Sequence, residues 1–319
     1  MQNNVAPLTG AFYLDQFVPD YENDGEKPSF TRSRGPKGRT IYLPNEPMAK
    51  LQVEFLKWLE GLRVYMPFAH GGVSGKSTRT NLLPHVGNRY FYTIDIRSAY
   101  EALNAEKVAR VLHGSSLALM MYQPHYLVEW LRQWCFLPSG GVITGAASAP
   151  YLFNLYTARN VDSMFAGHRK IKGHFQFLED TGITYTRYLD DLTFSSNQPI
   201  GRARRRAIRE VIWAAGFELA DHKTRVNIDI QKGPIEVAGV MLDSNGRMFP
   251  SKRRRRRANG MLAAALSGDV SPAVAHGYVG DCVGALPGDR AERLSRAEIA
   301  HLREAQLRLL IERPQDGHS

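Results

Sequence analysis

The sequence predicts an α+β fold built on an antiparallel sheet, and three patterns lead to this prediction. Residues 182–195 contain two arms rich in β-branched and aromatic residues around a pair of adjacent aspartates, which is typical of a β-hairpin. Residues 89–96 form a second apolar run with strand character. Apolar residues at helical spacing in 48–62 and in 202–215 predict amphipathic helices.

The remaining elements are predicted in chain order from local composition. Residues 1–29 are acidic with scattered aromatics, and we expect them to form a loosely docked arm. The other predicted elements are two short strands around a turn at 35–38, a helix-rich stretch at 100–135, a glycine-dense loop at 137–145 that opens an apolar helix, two strands at 226–230 and 235–242, and a basic run at 252–257 that introduces a helical tail.

The composition favours a globular protein with a polyanionic partner. The 319 residues carry 41 lysines and arginines against 31 aspartates and glutamates, a net charge of +10, so nucleic acid is the expected partner. Cys135 and Cys282 have no CxxC neighbour, which predicts neither a zinc site nor a disulfide framework. The acidic N-terminal segment does not resemble a leader, and the apolar stretch 142–156 is too short and too interrupted to span a membrane. We therefore expect a cytoplasmic protein.

Three aspartates are the candidate catalytic residues. Asp190 and Asp191 are adjacent and lie between two apolar strand arms, while Asp95 lies near the end of the strand at 89–96. Paired aspartates in a turn often serve only as turn residues or face solvent. Two adjacent carboxylates in an apolar setting repel one another unless cations neutralise them, and two hard cations about 3.5–4 Å apart would do so while promoting phosphoryl transfer.

Three segments that contain these aspartates resemble a known family. The segments FYTIDIRSAY, RYLDD and GFELADHKT occur in that order between residues 91 and 224. They are similar to successive motifs of the bacterial reverse transcriptases, especially the retron-type enzymes, and the resemblance extends from about residue 30 to residue 265. The resemblance implies catalytic roles for Asp95, Asp190, Asp191 and Lys223, with Lys223 near the departing pyrophosphate. It also implies two Mg²⁺ ions, with Asp95, Ile96, Asp190 and Asp191 as the metal ligands.

Further segments resemble the nucleotide-binding parts of the same family. RGPKGRTIYLP is similar to a fingers segment in which Lys37 and Arg39 contact phosphates, and Tyr100 stands where the family keeps an aromatic residue that excludes the ribose 2′-hydroxyl. GAASAPYLFN resembles the family's glycine loop without a gap, so Thr144 and Gly145 are expected to contact the substrate, with Thr144 at the usual glutamine. LPSGG at 137–141 offers a rival register that requires a short insertion.

Two short elements resemble features of retron enzymes, and a basic run follows them. TNLLPHVG places Asn81 and His85 at an NAxxH element, where Leu82 replaces the alanine, and VAG at 237–239 resembles a VTG element. By this resemblance Asn81 and His85 are expected to contact nucleic acid, and a structural role for His85 stays open. The basic run predicts contacts with duplex phosphates through Arg253, Arg254 and Arg255.

The resemblance implies the right-hand polymerase fold with fingers, an antiparallel-sheet palm and a short helical thumb. The expected parts are an N-terminal arm at 1–29, fingers at 30–90 with additional fingers and palm helices at 101–136, a palm at 91–246 and a thumb at 247–319.

The activity implied by the resemblance is RNA-directed DNA synthesis from deoxynucleotides on a structured noncoding RNA, within a retron that serves antiphage defence alongside an effector protein. Two alternatives stay open. One is another defence-associated reverse transcriptase with untemplated or protein-primed synthesis, and the other is a non-catalytic RNA-binding scaffold.

Overall fold

The computed structural model of the chain describes residues 14–18, 25–35, 38, 40–115, 124–166, 181–271, 274–275, 277–279 and 282. The chain divides into two compact units. Unit 1 contains residues 1–72, 96–177 and 205–220, and unit 2 contains residues 73–95, 178–204 and 221–319. Helices and strands occur in both units, which confirms the predicted α+β class.

The helices and strands follow the predicted order closely. In chain order they are β1 (Phe30–Arg34), β2 (Thr40–Pro44), α1 (Glu46–Gly61), α2 (Thr78–Leu82), β3 (Tyr90–Arg97), α3 (Ala105–His113), α4 (Pro124–Trp134), α5 (Ala149–Thr157), β4 (Thr184–Tyr188), β5 (Asp191–Ser196), α6 (Arg202–Ala214), β6 (Glu218–Leu219), β7 (Arg225–Asp229), β8 (Ile235–Val237), β9 (Val240–Leu242), β10 (Met248–Pro250) and α7 (Lys252–Leu266). A π-helical segment, Ala158–Asp162, and a short α-helical turn, Ser163–Phe165, continue α5.

Helix α1 shows how local sequence defines an element of unit 1. The Asn45 side chain accepts a hydrogen bond from the Met48 main-chain nitrogen at 3.1 Å, and a proline in the first turn suits a helix start. Leu51, Phe55 and Leu59 recur at helical spacing and are buried. The helix therefore begins at its cap and buries one apolar stripe.

The core of unit 1 combines aromatic packing with a buried polar contact. The ring centres of Phe55 and Trp130 lie 4.6 Å apart. The ring centre of Phe17 lies 5.9 Å from that of Phe55, and this contact anchors part of the N-terminal segment. Gln52 donates from Nε2 to the main-chain oxygen of Trp134 at 2.7 Å, and its Oε1 accepts from the Ser148 hydroxyl at 2.6 Å. These contacts tie α1 to the end of α4 and the start of α5.

The central sheet of unit 2 places the predicted hairpin beside the predicted strand. Strand β5 pairs with β4 on one side and with β3 on the other, and all of these pairings are antiparallel. Strand β7 pairs antiparallel with the opposite edge of β3. In unit 1, the last two residues of β3 continue into a short ladder with β6. The β3–β5 register makes Asp95 and Asp191 direct cross-strand partners.

A three-stranded sheet, in the order β10–β9–β8, completes the described part of unit 2. Residues 235–242, predicted as one strand, form two strands because Ala238 and Gly239 both adopt positive φ values, 46° and 81°, and reverse the chain. The basic run 252–257 forms the first turns of α7 itself. The buried side chains of this sheet pack with Leu82 and Phe91.

The structure also bears on the two cysteines and on the apolar helices. Cys135 and Cys282 are both free and buried, and burial raises the pKa of the Cys135 thiol to about 12. Within the described residues, no helix is long and apolar enough to cross a membrane.

We predict that Gly145→Ala destabilises unit 1. Gly145 has φ +111°, and a Cβ atom there would lie 2.5 Å from the Tyr42 main-chain oxygen. The backbone strain and this clash are expected to lower the free energy of unfolding by about 1–3 kcal/mol, measured by urea denaturation. Gly201→Ala is the control, because Gly201 has an ordinary φ and open space around its Cα. An equal loss in both variants would contradict the role of the close approach at Gly145.

Candidate active site

The β4–β5 hairpin positions Asp190 and Asp191 through a two-residue loop. Tyr188 and Asp191 pair across the hairpin, so Leu189 and Asp190 alone make the turn. Leu189 adopts φ 54°, a conformation that costs a residue with a Cβ some free energy. The fully buried Arg187 donates from Nη1 to the Leu189 main-chain oxygen at 3.3 Å and supports the turn.

Asp95 joins this hairpin through the sheet register. Asp95 is the direct cross-strand partner of Asp191, and cross-strand partners place their side chains on the same face of a sheet. Asp191 hydrogen bonds to Asp95 when it carries a proton. The three predicted aspartates therefore meet at one end of the sheet, within unit 2.

Lys223 approaches the same aspartates from the other edge of β3. Arg225 in β7 is paired with Thr93 in β3, so the antiparallel register continues toward Asp95 as the chain runs back to Lys223. The Lys223 ammonium donates to Oδ1 and Oδ2 of Asp95 at 2.8 and 2.9 Å. Asp95 is therefore flanked by a carboxylate on one side and by an ammonium on the other.

The electrostatics of the site centre on Asp191. Burial, repulsion from Asp190 and Asp95, and the hydrogen bond to Asp95 raise the pKa of Asp191 to about 7, while Lys223 opposes this shift. A carboxylate in this position has a large unfavourable energy that a cation would relieve. The arrangement therefore favours binding of positive charge.

The donor set of these residues fits hard divalent cations. Carboxylate oxygens are preferred ligands of Mg²⁺. Burial and the neighbouring carboxylates raise the pKa of Asp191, and a bound cation would favour its ionised form. Among the described residues, no three Asp, Glu, His or Cys side chains are close enough together to hold one metal ion. Both carboxylate oxygens of Asp95 instead contact the Lys223 ammonium. The buried Ile96 side chain has no donor atom, so a contribution from Ile96 is limited to its main-chain carbonyl.

Asn81 and His85 lie inside unit 2 rather than on its surface. Both side chains are 0% exposed. The His85 ring contacts the hydroxyls of Ser195 and Thr186, and the Asn81 side-chain amide forms no hydrogen bond with a described residue. The resemblance implies that both residues contact nucleic acid; in this structure each is covered, and His85 instead holds the two strands of the hairpin.

Three of the predicted substrate-binding residues, Tyr100, Thr144 and Gly145, lie in unit 1. The other two, Lys37 and Arg39, fall outside the described residues. The Tyr100 ring packs 5.6 Å from Phe153, and the Thr144 main-chain oxygen accepts a hydrogen bond from the Tyr42 nitrogen at 3.2 Å. Gly145, on the exposed side of this loop, makes the close approach to Tyr42 described above.

The basic run lines a cavity of about 560 Å³ beside the small sheet of unit 2. The cavity is lined by Glu236, Met241, Phe249, Pro250, Ser251, Lys252, Arg253, Arg255 and Arg256. Lys252, Arg253 and Arg256 form no side-chain hydrogen bond or ion pair with any described residue. Arg254 instead donates from Nη1 to Thr78 Oγ1 at 3.1 Å, so the three predicted arginines separate into two that line the cavity and one that contacts α2.

Sequence reasoning missed the polar residues that lie behind the aspartates. Thr186, Ser195 and Asn88 contact His85 or one another in unit 2. A local signal was available: Thr184 and Thr186 alternate along β4, as do Thr193 and Ser195 along β5. Because side chains alternate between the faces of a strand, this spacing predicts one polar face on the hairpin.

Comparisons with known proteins identify the family to which this sequence is similar. The model of the family described as reverse transcriptase (RNA-dependent DNA polymerase) matches residues 36–242. The chain is 31% identical over 273 residues to the retron Mx65 reverse transcriptase of Myxococcus xanthus, covering 81% of this chain and 60% of that protein. It is 28% identical over 286 residues to the retron Mx162 reverse transcriptase of the same organism, covering 81% and 53%. The chain thus spans between half and two thirds of the length of these relatives.

Among solved structures, the chain is similar to an apo telomerase from Candida tropicalis truncated from the C-terminal domain. The TM-score is 0.46 with 11% sequence identity, and the match covers 70% of this chain and 55% of that chain.

We predict that Asp191→Asn stabilises the protein in Mg²⁺-free buffer. A carboxyl with a raised pKa in the folded state stabilises the fold while it is protonated, and this stability is lost as the pH rises from its unfolded pKa of about 4 to its folded pKa of about 7. The Tm advantage of the variant over wild type should therefore grow over this range and level off above it. Each kcal/mol recovered raises Tm by about 2–4 °C. Calorimetry with EDTA measures the effect, and a difference that is constant with pH would contradict it.

Proposed function

Because this chain belongs to the reverse transcriptase family of RNA-dependent DNA polymerases, we propose that it synthesises DNA on an RNA template. The observation that carries the proposal is the meeting of Asp95, Asp190 and Asp191 at one end of the sheet, beside Lys223. Nucleotidyl transfer depends mainly on positioning and on neutralising charge. A dense group of carboxylates next to a single ammonium supports that chemistry.

In this proposal, the three aspartates and the Ile96 carbonyl would hold two Mg²⁺ ions, which neutralise charge on the α-phosphate and activate the primer hydroxyl. Asp191 and Asp95 present their carboxylates to the same space because they are cross-strand partners. Asp190 follows the strained Leu189 in the two-residue loop, so its backbone position is defined by the turn. The chain's contribution is to hold these oxygens in a fixed arrangement.

Lys223 is proposed to act on the leaving group. Its side chain is 47% exposed while its ammonium contacts Asp95, so the ammonium can reach a neighbouring phosphate by rotation of its own side chain. The Nζ atom would then donate a proton or a hydrogen bond to the departing pyrophosphate. Tyr100, Thr144 and Gly145, with Lys37 and Arg39, are proposed to bind the incoming deoxynucleotide, as the family resemblance implies.

The cations at the start of α7 support a nucleic-acid contact in unit 2. Lys252, Arg253 and Arg256 line the cavity without an ion-pair partner among the described residues. Unpaired cations around a concave surface attract phosphates without regard to sequence. We therefore propose that Arg253 contacts the nucleic-acid backbone. Arg255 lines the same cavity and is proposed to contact the backbone beside it, whereas Arg254 contributes through its contact with Thr78.

The biological setting is proposed to be a retron. The relatives from Myxococcus xanthus are named retron reverse transcriptases. In this setting the chain adopts the right-hand fold with fingers, palm and thumb, copies a structured noncoding RNA into a small DNA, and serves antiphage defence together with an effector protein.

We predict that wild-type protein, expressed with its native flanking DNA, copurifies with a discrete DNA joined to a structured RNA. The matched control is the double variant Asp190→Asn/Asp191→Asn, which keeps side-chain size but loses the carboxylates and should yield the RNA without DNA. Sequencing and chemical mapping of the nucleic acid provide the measurement. A repetitive, untemplated or protein-linked product would keep the catalytic residues and replace the retron setting. No synthesis by wild type on any template would favour an RNA-binding scaffold.

We also predict that Arg253→Gln weakens RNA binding in a salt-dependent manner. Loss of one phosphate contact should reduce the slope of log affinity against log salt by about 0.7–0.9. Arg202→Gln removes the same charge from an exposed residue at the start of α6 and serves as the control. Fluorescence anisotropy with a labelled RNA measures both slopes, and an equal change in the two variants would show that only net charge matters.

A further inference from the structure

A chain of buried hydroxyls lies on the face of the sheet that carries the aspartates. Cross-strand pairing places Asp95 beside Asp191, then Thr193 beside Thr186 two residues further along. Ser195 follows by another two residues on the same face of β5. The His85 ring lies against this face, with Nε2 2.7 Å from Thr186 Oγ1 and Nδ1 2.6 Å from Ser195 Oγ. His85 therefore bridges the two strands of the hairpin directly behind the aspartates.

The direction of each hydrogen bond follows from the partners available. Thr186 donates its only hydroxyl proton to the Asn81 main-chain oxygen at 2.9 Å, because a carbonyl can only accept. Thr186 must then accept from His85, which places a proton on Nε2. Asn88 donates from Nδ2 to Ser195 Oγ at 2.8 Å, and the Ser195 proton is free to point at Nδ1. A neutral His85 ring, with its one proton on Nε2, therefore satisfies every hydrogen bond of this network.

Burial makes these contacts demanding in their geometry. His85 and Ser195 are 0% exposed and Thr186 is 2% exposed, so water does not replace a lost partner. Removing one hydroxyl would leave a ring nitrogen or a carbonyl without a hydrogen bond. The hairpin is therefore fixed relative to Asn81 and His85 by polar contacts that tolerate little displacement.

We propose that His85 is a positioning residue that holds the β4–β5 hairpin so that Asp190 and Asp191 keep their places relative to Asp95. Thr186 is the cross-strand partner of Thr193, and Ser195 lies two residues further from the tip on the same face of β5, so His85 contacts both arms of the hairpin close to its tip. The tip itself contains a strained Leu189 and mutually repelling carboxylates, both of which favour relaxation of the loop. His85 opposes that relaxation through its hydrogen bonds to Thr186 and Ser195.

The kinetic test compares Thr186→Val with Thr186→Ser and Thr193→Val, and it rests on the proposed polymerase activity. Thr186→Val keeps the shape but removes the hydroxyl, so kcat should fall about 10- to 100-fold with an unchanged KM for the deoxynucleotide. Thr186→Ser restores the hydroxyl and should stay within about twofold of wild-type kcat. Thr193 is the cross-strand partner of Thr186, is equally buried and forms no hydrogen bond with His85. Thr193→Val is therefore the matched control, and its kcat should equal that of wild type.

Two outcomes of this test would overturn the proposal. Equal losses in Thr186→Val and Thr193→Val, or an undiminished kcat in a Thr186→Val protein with a lowered Tm, would show a merely structural contribution. If Thr186→Val does not fold, Ser195→Ala takes its place. This variant removes the donor to His85 Nδ1 together with the acceptor of Asn88 Nδ2, and it should lower kcat with the same unchanged KM.

Amide hydrogen exchange of residues 184–196 tests the inference without activity. Thr186→Val should speed exchange across the hairpin relative to Thr193→Val, and ¹⁵N spectra of wild type should show the proton of His85 on Nε2. Equal exchange in the two variants, or a ring protonated only on Nδ1, would overturn the proposal. A wild-type protein that does not polymerise but shows these two signals would refute the proposed function and leave the positioning of the hairpin supported.

Discussion

Crowding of three carboxylates at one end of the central sheet is the constraint on which the rest of unit 2 depends. Burial raises the pKa of Asp191 to about 7, and the like charges of Asp190 and Asp95 add to this shift. Lys223 offsets part of this cost by contacting Asp95, and the sheet register prevents the carboxylates from separating. A site that disfavours its own ionised state in this way gains the most when a cation arrives.

The surrounding polar contacts have a shared physical purpose. Arg187 is fully buried and reaches the Leu189 carbonyl, while His85 connects the two arms of the hairpin. Neither residue displays charge or a hydrogen-bonding group to solvent. These contacts hold the turn in place although its backbone is strained and its carboxylates repel one another. Strain of this kind persists at functional sites when the surrounding contacts allow no other arrangement.

Local patterns were sufficient to predict the hairpin, the strand with Asp95 and the main helices, because period-two and helical spacing leave clear signals. Asp95 was grouped with the Asp190 pair from the chemistry of neighbouring carboxylates and from the family resemblance, since register between distant strands has no local signal. The interior position of His85 had none either, because its partners Thr186 and Ser195 are 101 and 110 residues away in the chain. The division of 235–242 into two strands was missed because alanine rarely adopts a positive φ.

The two-residue loop at the tip of the hairpin limits how this protein can diversify. Side chains alternate between the faces of a strand, so an insertion before Asp191 that shifted the register of β5 by one residue would turn every later side chain of β5 to the opposite face. Asp191 would lose Asp95, and Ser195 would lose His85, in the same step. The loop can therefore accept amino-acid substitutions more easily than insertions or deletions. Its length is constrained by the Asp95–Asp191 pair at the tip and by the Ser195–His85 contact further along β5.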